Sequence, residues 1–354
     1  MRFGIFGSAQ ANSGDLPPES GQGFRDYLDY CVEAEAFGFH SSFLVEHHFT
    51  GWNQVSATLM LQTALAMRTT TLRLGSAVIV LPWHNPVLLA EQAATLDLIS
   101  GGRLDFGIGK GYRHSEFKGF VVPPDEADAR FEEAVEVIAR AFTSRQRFSH
   151  RGKFWRFEDI VVEPPPAQQP HPPFWVAAAS EASIRRAAAR GFNLILDQYA
   201  STDAIGARIA LYRSARLAQG LPFDPMQVAV ARQLYVARDR ADAEAALARQ
   251  ANYTQRTVDV SRAPDRKGGS HVLAYADKAG GTEEHALFGT PDEIGAQLTA
   301  LHHAGADYVL LTIFGGKDQL RRFAREVMPG LADPPPPHAF EKGGDAPLAG
   351  CSGH

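Results

Sequence analysis

Cysteine is almost missing from this chain. Cys31 falls in a helical pattern and Cys351 in a polar tail, so no disulfide framework is expected and a reducing cytoplasm suits the composition. No apolar run approaches the ~18 residues that a membrane span needs. The opening Met1-Arg2-Phe3-Gly4-Ile5-Phe6-Gly7 is broken by glycine too early for a signal peptide. A basic surplus is also lacking: the formal net charge is −5 and the pI is near 6.2, which argues against nucleic acid as a partner. No H-E-x-x-H, C-x-x-C or G-x-S-x-G motif occurs, so neither a metal site nor a serine-hydrolase elbow is expected. The one glycine-rich turn, Gly107-Ile108-Gly109-Lys110-Gly111-Tyr112, has tyrosine where a dinucleotide fingerprint wants glycine, and it lies far from the first strand.

What is present is a long alternation of strand and helix. The 354 residues, 45% hydrophobic, suffice for a large core. Strand patterns cover residues 2–6, 41–45, 72–81, 103–108, 174–177, 194–196, 228–236 and 308–313. Helical periodicity covers 24–37, 55–67, 86–98, 127–142, 180–190, 203–219, 240–253, 291–303 and 319–327. Eight strands with intervening helices fit an α/β fold, a (β/α)8 TIM barrel with insertions. One domain is expected over residues 1–330, with an excursion of short antiparallel strands within 143–173. The polar, glycine-rich 257–285 segment reads as a mobile active-site loop and 331–354 as a disordered tail.

Active sites of such barrels are built at the C-terminal strand ends. The second strand there gives Glu46, His47, His48 and Phe49. The third gives Ala77, Val78, Trp83 and His84, the fourth Lys110, Tyr112, His114 and Glu116. The fifth gives Ser180 and Ser183, the sixth Asp197 and Gln198. An imidazole can give or take a proton near neutral pH. His47 and His48 are adjacent, so on extended backbone they point to opposite sides and would not share a metal. Either could instead merely cap the strand or be solvated. Ser180 opens a helix and by itself reads as an N-cap. With Lys110-Gly111 on the neighbouring strand, a phosphate site becomes the better reading. Glu132, Glu133 and Glu136 look like a solvated helix face, and His302-His303 like a helix end.

Four stretches carry a resemblance: Glu46-His47-His48-Phe49-Thr50, Gly75 through Pro82, Gly101 through Ile108, and Phe288-Gly289-Thr290-Pro291-Asp292-Glu293. In this order and spacing the chain resembles the bacterial luciferase-like flavin-dependent monooxygenases, above all the luciferase α subunit, up to about Pro329. The resemblance implies a TIM barrel binding reduced FMN, supplied by a separate flavin reductase. It implies phosphate contacts at Lys110, Gly111, Tyr112, Ala179, Ser180 and Ser183, and a non-proline cis peptide at Ala77–Val78 below the flavin. It implies His47 as catalytic imidazole, with Glu46 and Glu116 behind it, and Phe6, Phe49, Trp52, Phe117 and Phe120 on the substrate side. Lys110 stands where luciferase has arginine, a point charge in place of a fork. Gly109 stands where luciferase has a reactive cysteine. The implied reaction is oxidation of a small organic substrate by O2 through a peroxyflavin in a dry pocket. The alternatives are a deazaflavin-dependent hydride-transfer enzyme and a non-catalytic, luciferase-β-like partner subunit. A homodimer through the helices after strands two and three is also implied, with Ala57, Leu61, Ala64 and Leu65 on the first of them.

Overall fold

The computed structural model describes residues 1–49, 51, 55–262, 281 and 284–332. In chain order its elements begin with β1 (Arg2–Gly7), α1 (Gln22–Ala36), β2 (Ser41–Leu44) and α2 (Thr58–Ala66). There follow β3 (Arg73–Ser76), β4 (Ile79–Val80), α3 (Pro86–Ile99), β5 (Leu104–Gly109), α4 (His114–Gly119) and α5 (Ala127–Thr143). The middle comprises β6 (Phe148–Arg151), β7 (Arg156–Ile160), β8 (Phe174–Ala177), α6 (Glu181–Ala189), β9 (Asn193–Leu196) and α7 (Thr202–Ala218). The chain closes with β10 (Val228–Val236), α8 (Arg240–Ser261), β11 (Leu287–Gly289), α9 (Pro291–His303), β12 (Tyr308–Ile313) and α10 (Gly316–Glu326).

Parallel pairing runs β1-β2-β3-β5-β8-β9-β10-β12 and returns to β1, closing an eight-stranded barrel. Its strands are covered on both faces, which is why they read as nearly continuous apolar runs. Phe43, Trp175, Ile195, Ala229, Tyr308 and Leu310 fill the barrel interior, with Phe6, Ala77, Val78 and Met226 packed on that plug. The outer strand faces meet the helices in one large core. Gly107 is needed where β5 passes β3, because a Cβ there would lie 1.7 Å from the Ser76 carbonyl oxygen.

The structure departs from the expectation in several places. The 72–81 stretch divides into β3 and β4, then turns through Leu81–Trp83, although the Ala77–Val78 peptide between them is cis as the resemblance implies. The excursion forms one antiparallel hairpin, β6 with β7, which ends at Ile160. Glu133 is not solvated. Its carboxylate accepts the backbone N–H groups of Lys153, Phe154 and Trp155, because α5 turns that face toward the hairpin. The helix expected to end at residue 253 continues to Ser261, which takes up the start of the expected loop. Residues 263–280, 282 and 283 of that loop, and the tail from residue 333, lie outside the described residues. A short strand, β11, pairs with the end of β10; three residues are too few for a periodic signal.

Candidate active site

β2 ends at Leu44, and the next residues leave the ladder at the barrel's C-terminal mouth. Val45 still donates its N–H to the Gly7 carbonyl, and His47 donates its own to the Val55 carbonyl, so the turn is fixed at both ends. Side chains there alternate as extended backbone requires. Glu46 and His48 join one polar cluster and His47 another.

The Glu46 carboxylate is buried and accepts from Trp83 Nε1 at 2.9 Å and from the Val80 N–H at 3.3 Å. The Nε2 atoms of His48 and His84 lie 3.0 and 2.9 Å from its Oε1. Burial alone would raise this carboxyl, but the hydrogen bonds from His48, His84 and Trp83 overcome it and hold the pKa at about 2. Glu46 therefore stays a carboxylate and ties β2 to the turn after β4. The His48 ring sits edge-on to Phe120 and Trp83, and Phe120 stacks on Trp83 at 5.0 Å.

His47 turns to the other side. Its Nδ1 lies 3.1 Å from Glu116 Oε1, and the same oxygen accepts the His48 backbone N–H at 3.0 Å. Burial pushes the His47 pKa below its ordinary value, the Glu116 hydrogen bond opposes this, and the Arg113 charge adds to the lowering. At neutral pH the ring is uncharged. The Glu116 oxygen that faces Nδ1 is already an acceptor for the His48 N–H, so Nδ1 carries the hydrogen toward it and Nε2 holds the free lone pair. The Tyr112 ring stands edge-on to His47 at 6.4 Å.

The other candidates divide. Phe117 and Phe120 pack with Trp83, and Phe49, 62% exposed with φ +62°, leans on Phe120. Phe6 is separate, on the interior plug with Ala77 and Val78. Trp52 lies outside the described residues. Ser180 is the N-cap of α6, bonded to the Ser183 N–H, and the two hydroxyls lie 2.9 Å apart, with Ala179 half-buried before them. The Lys110 ammonium pairs with Asp128 on α5, not with a group on α6. Gly111 has φ +79°, and a Cβ there would come 2.7 Å from Val80, so the turn between Lys110 and Tyr112 needs glycine. Asp197 is a turn former: it accepts the N–H groups of Tyr199 and Ala200 and pairs with Arg208 at 2.7 Å.

Two features escape a reading of the sequence. One is the bonding of Glu46 to Trp83 and His84, which the sequence places at a neighbouring strand end without pairing them. The other is Arg113, wholly buried, with Nε and both terminal nitrogens lacking any hydrogen-bond partner. It lies between Tyr112 and Glu116 on the same segment, and only its burial distinguishes it from a surface arginine.

The site fits a flavin. Buried Trp175 Nε1, Ser8 Oγ and Gln198 Oε1 have no protein partner. Ser8 and Gln198 follow the C-terminal ends of β1 and β9 at the barrel mouth, and Trp175 lies on β8 in the interior plug. A heterocycle edged with carbonyl and N–H groups suits such donors and acceptors. The described residues contain no metal-holding group of His, Cys, Asp or Glu side chains, and no helix among them is long and apolar enough to cross a membrane.

Comparison with known proteins agrees. The oxygenase component of a flavin-dependent trigonelline monooxygenase from Acinetobacter baylyi is 26% identical over 94% of this chain and 96% of its own. The alignment with protein y4vJ of Sinorhizobium fredii, 30% identical, spans 62% of each chain. Among solved structures, monooxygenase RslO1 from Streptomyces bottropensis superposes with a TM-score of 0.80 at 28% identity, covering 94% of this chain and all of that one. An F420-dependent secondary alcohol dehydrogenase, at 17% identity, superposes with a TM-score of 0.75 over 94% of this chain and 99% of that one, a likeness of fold alone. The family model for luciferase-like monooxygenases matches residues 1–308, and the chain belongs to that family of oxidoreductases.

Proposed function

We propose that this chain is the oxygenase component of a two-component monooxygenase that uses reduced FMN and O2 to oxidise a small organic substrate. The observation that carries the reading is the half-buried His47, its pKa lowered and its ring held by Glu116 at the barrel mouth. Reduced flavin, when bound, supplies the electrons that activate O2. A flavin reductase would deliver it, since the chain has no dinucleotide fingerprint. Ser180, Ser183, Ala179 and the backbone at Gly111 and Tyr112 would hold the phosphate, with Lys110 joining by leaving Asp128. Ala77 and Val78, resting on the interior plug, would support the ring system. The phenyl rings of Phe49, Phe117 and Phe120 would keep water from that side. His47 Nε2 would take or return one proton at the substrate or the transferred oxygen, with Glu116 steadying the ring.

The test is anaerobic titration with reduced FMN, followed by oxygen uptake against substrate panels. Tight binding of reduced FMN supports the proposal, whereas binding and turnover with a reduced deazaflavin alone would sink it. With a turned-over substrate in hand, His47→Ala should lower product formation by roughly 10²–10⁴ and release hydrogen peroxide instead. His48→Ala, whose ring packs on Trp83 and Phe120, should cost melting temperature more than product yield. The opposite pattern in the two variants would reverse their roles.

A further inference from the structure

The side chain that the oxygenase chemistry leaves unused is Arg113. It is 0% exposed, and none of its three guanidinium nitrogens has a hydrogen-bond partner. It forms no ion pair among the described residues. Glu116, three residues on, spends Oε1 on His47 and on the His48 N–H. The Arg113 guanidinium carbon lies 6.0 Å from the centre of the Tyr112 ring, and its charge reaches the His47 imidazole. An arginine cannot escape the cost of burial by losing its proton. Other braced arginines of this protein show what a satisfied one looks like: Arg103 makes five hydrogen bonds and Arg73 grips Asp105 with two nitrogens at 2.8 Å. A fully buried guanidinium with no such partners is a group awaiting an anion.

We propose that Arg113 is the substrate-binding residue for a monoanionic oxyacid, a carboxylate gripped by the guanidinium fork beside His47. This rests on the monooxygenase reading and names its substrate class. The flavin phosphate is the other oxyanion that could reach the barrel mouth. The geometry favours the substrate for two reasons. The phosphate carries up to two charges and suits the exposed Ser180–Ser183 edge, whereas Arg113 is a single charge without solvent contact. The guanidinium also lies 6.0 Å from the centre of the Tyr112 ring, which itself stands 6.4 Å from the imidazole assigned to proton transfer, so a bound carboxylate would place the rest of a small molecule near that imidazole. Binding would turn an unpaired buried charge into a bidentate pair, and a neutral analogue would leave it unpaired.

The experiment uses the full chain without flavin, titrated calorimetrically with acetate, benzoate and phenylacetate and with the matching amides. At least one acid should bind roughly 10–100-fold more tightly than its amide, the value of a charge-assisted hydrogen bond. That preference should vanish in Arg113→Met and return in part in Arg113→Lys. Arg113→Met should also raise the melting temperature of the unliganded protein, since it removes an unpaired buried charge. Equal affinity for acids and amides overturns the proposal, as does an acid preference that survives in Arg113→Met. A lower melting temperature in Arg113→Met overturns it too, by making the residue structural. Reduced FMN is titrated separately. A loss of flavin affinity in Arg113→Met, with no change toward carboxylates, assigns the charge to the cofactor and overturns the proposal. Failure of wild type to bind reduced FMN strikes the monooxygenase reading alone.

Discussion

At the scale of single residues, His47 makes the sharpest demand. Its pKa is pushed below 6.5, so it is protonated only as pH falls under that value. If Nε2 is the working base, kcat/KM stays level through neutral pH and drops along an acid limb below about 6.5. Glu116→Gln removes the interaction that opposes the lowering, so the limb should move to still lower pH. The plateau should fall roughly 10–100-fold, because an amide can donate to Nδ1 and favour the wrong tautomer. A pH–rate profile of both proteins checks this, and a limb that stays fixed in Glu116→Gln would count against the pair. Lys110 invites a second measurement. Its ammonium is spent on exposed Asp128, and a surface pair of this kind is worth ~0–1 kcal/mol. If Lys110 is the phosphate cation, Asp128→Asn should free it and tighten FMN binding several-fold, an effect that high salt would erase. Unchanged affinity would remove Lys110 from the phosphate site.

At the scale of elements, the Gly101-Gly102-Arg103 turn shows why a family motif need not be a site. Gly101 and Gly102 both have positive φ, and Arg103 bonds Ser100, Ala66, Leu72 and both the hydroxyl and the carbonyl of Thr69. The guanidinium thus ties the end of α2 to the start of β3 and to the turn before β5. Arg103→Met should cost ~2–4 kcal/mol by urea unfolding, since several carbonyls lose their donor. Arg103→Lys should recover less than half of that, because one ammonium cannot reproduce the fork. A neutral Arg103→Met would mean that the turn holds without its brace. The same contrast explains how much was legible beforehand. All eight barrel strands follow from apolar runs and turn residues, because burial on two faces leaves a pattern in the chain. The His47–Glu116 pairing was open to inference only through family resemblance, since 69 residues separate them. Glu46, His48, Trp83 and His84 could be placed at neighbouring strand ends but not bonded into one cluster, and Arg113 left no trace, because contact and burial are set by how α4 and the turn after β4 fold onto the mouth. Glu133 misled for the same reason: a carboxylate that caps three backbone N–H groups looks, in sequence, like any other on a helix face.

At the scale of the whole molecule, the unfinished surface lies on α2 and α3. Of the ten large hydrophobic side chains exposed among the described residues, five belong to these helices and their ends: Met60, Met67, Leu88, Leu98 and Ile99. The two helices pack side by side, so the five are carried by one neighbouring pair of elements. Leu65, expected at a contact between copies, is instead buried against the barrel, while Ala57 and Ala64 are exposed. A surface of this kind suits a second copy, as isologous dimers bury about 800 Å² per partner through self-complementary apolar patches. The proposed homodimer should therefore sediment as a dimer at micromolar concentration. Met60→Asp with Leu88→Asp, at positions 76% and 53% exposed, places charges on the patch without touching the core. The double variant should sediment as a monomer with unchanged circular dichroism, since exposed positions cost little stability in the single chain. A wild-type monomer, or a dimer that survives both charges, would move the contact off α2 and α3.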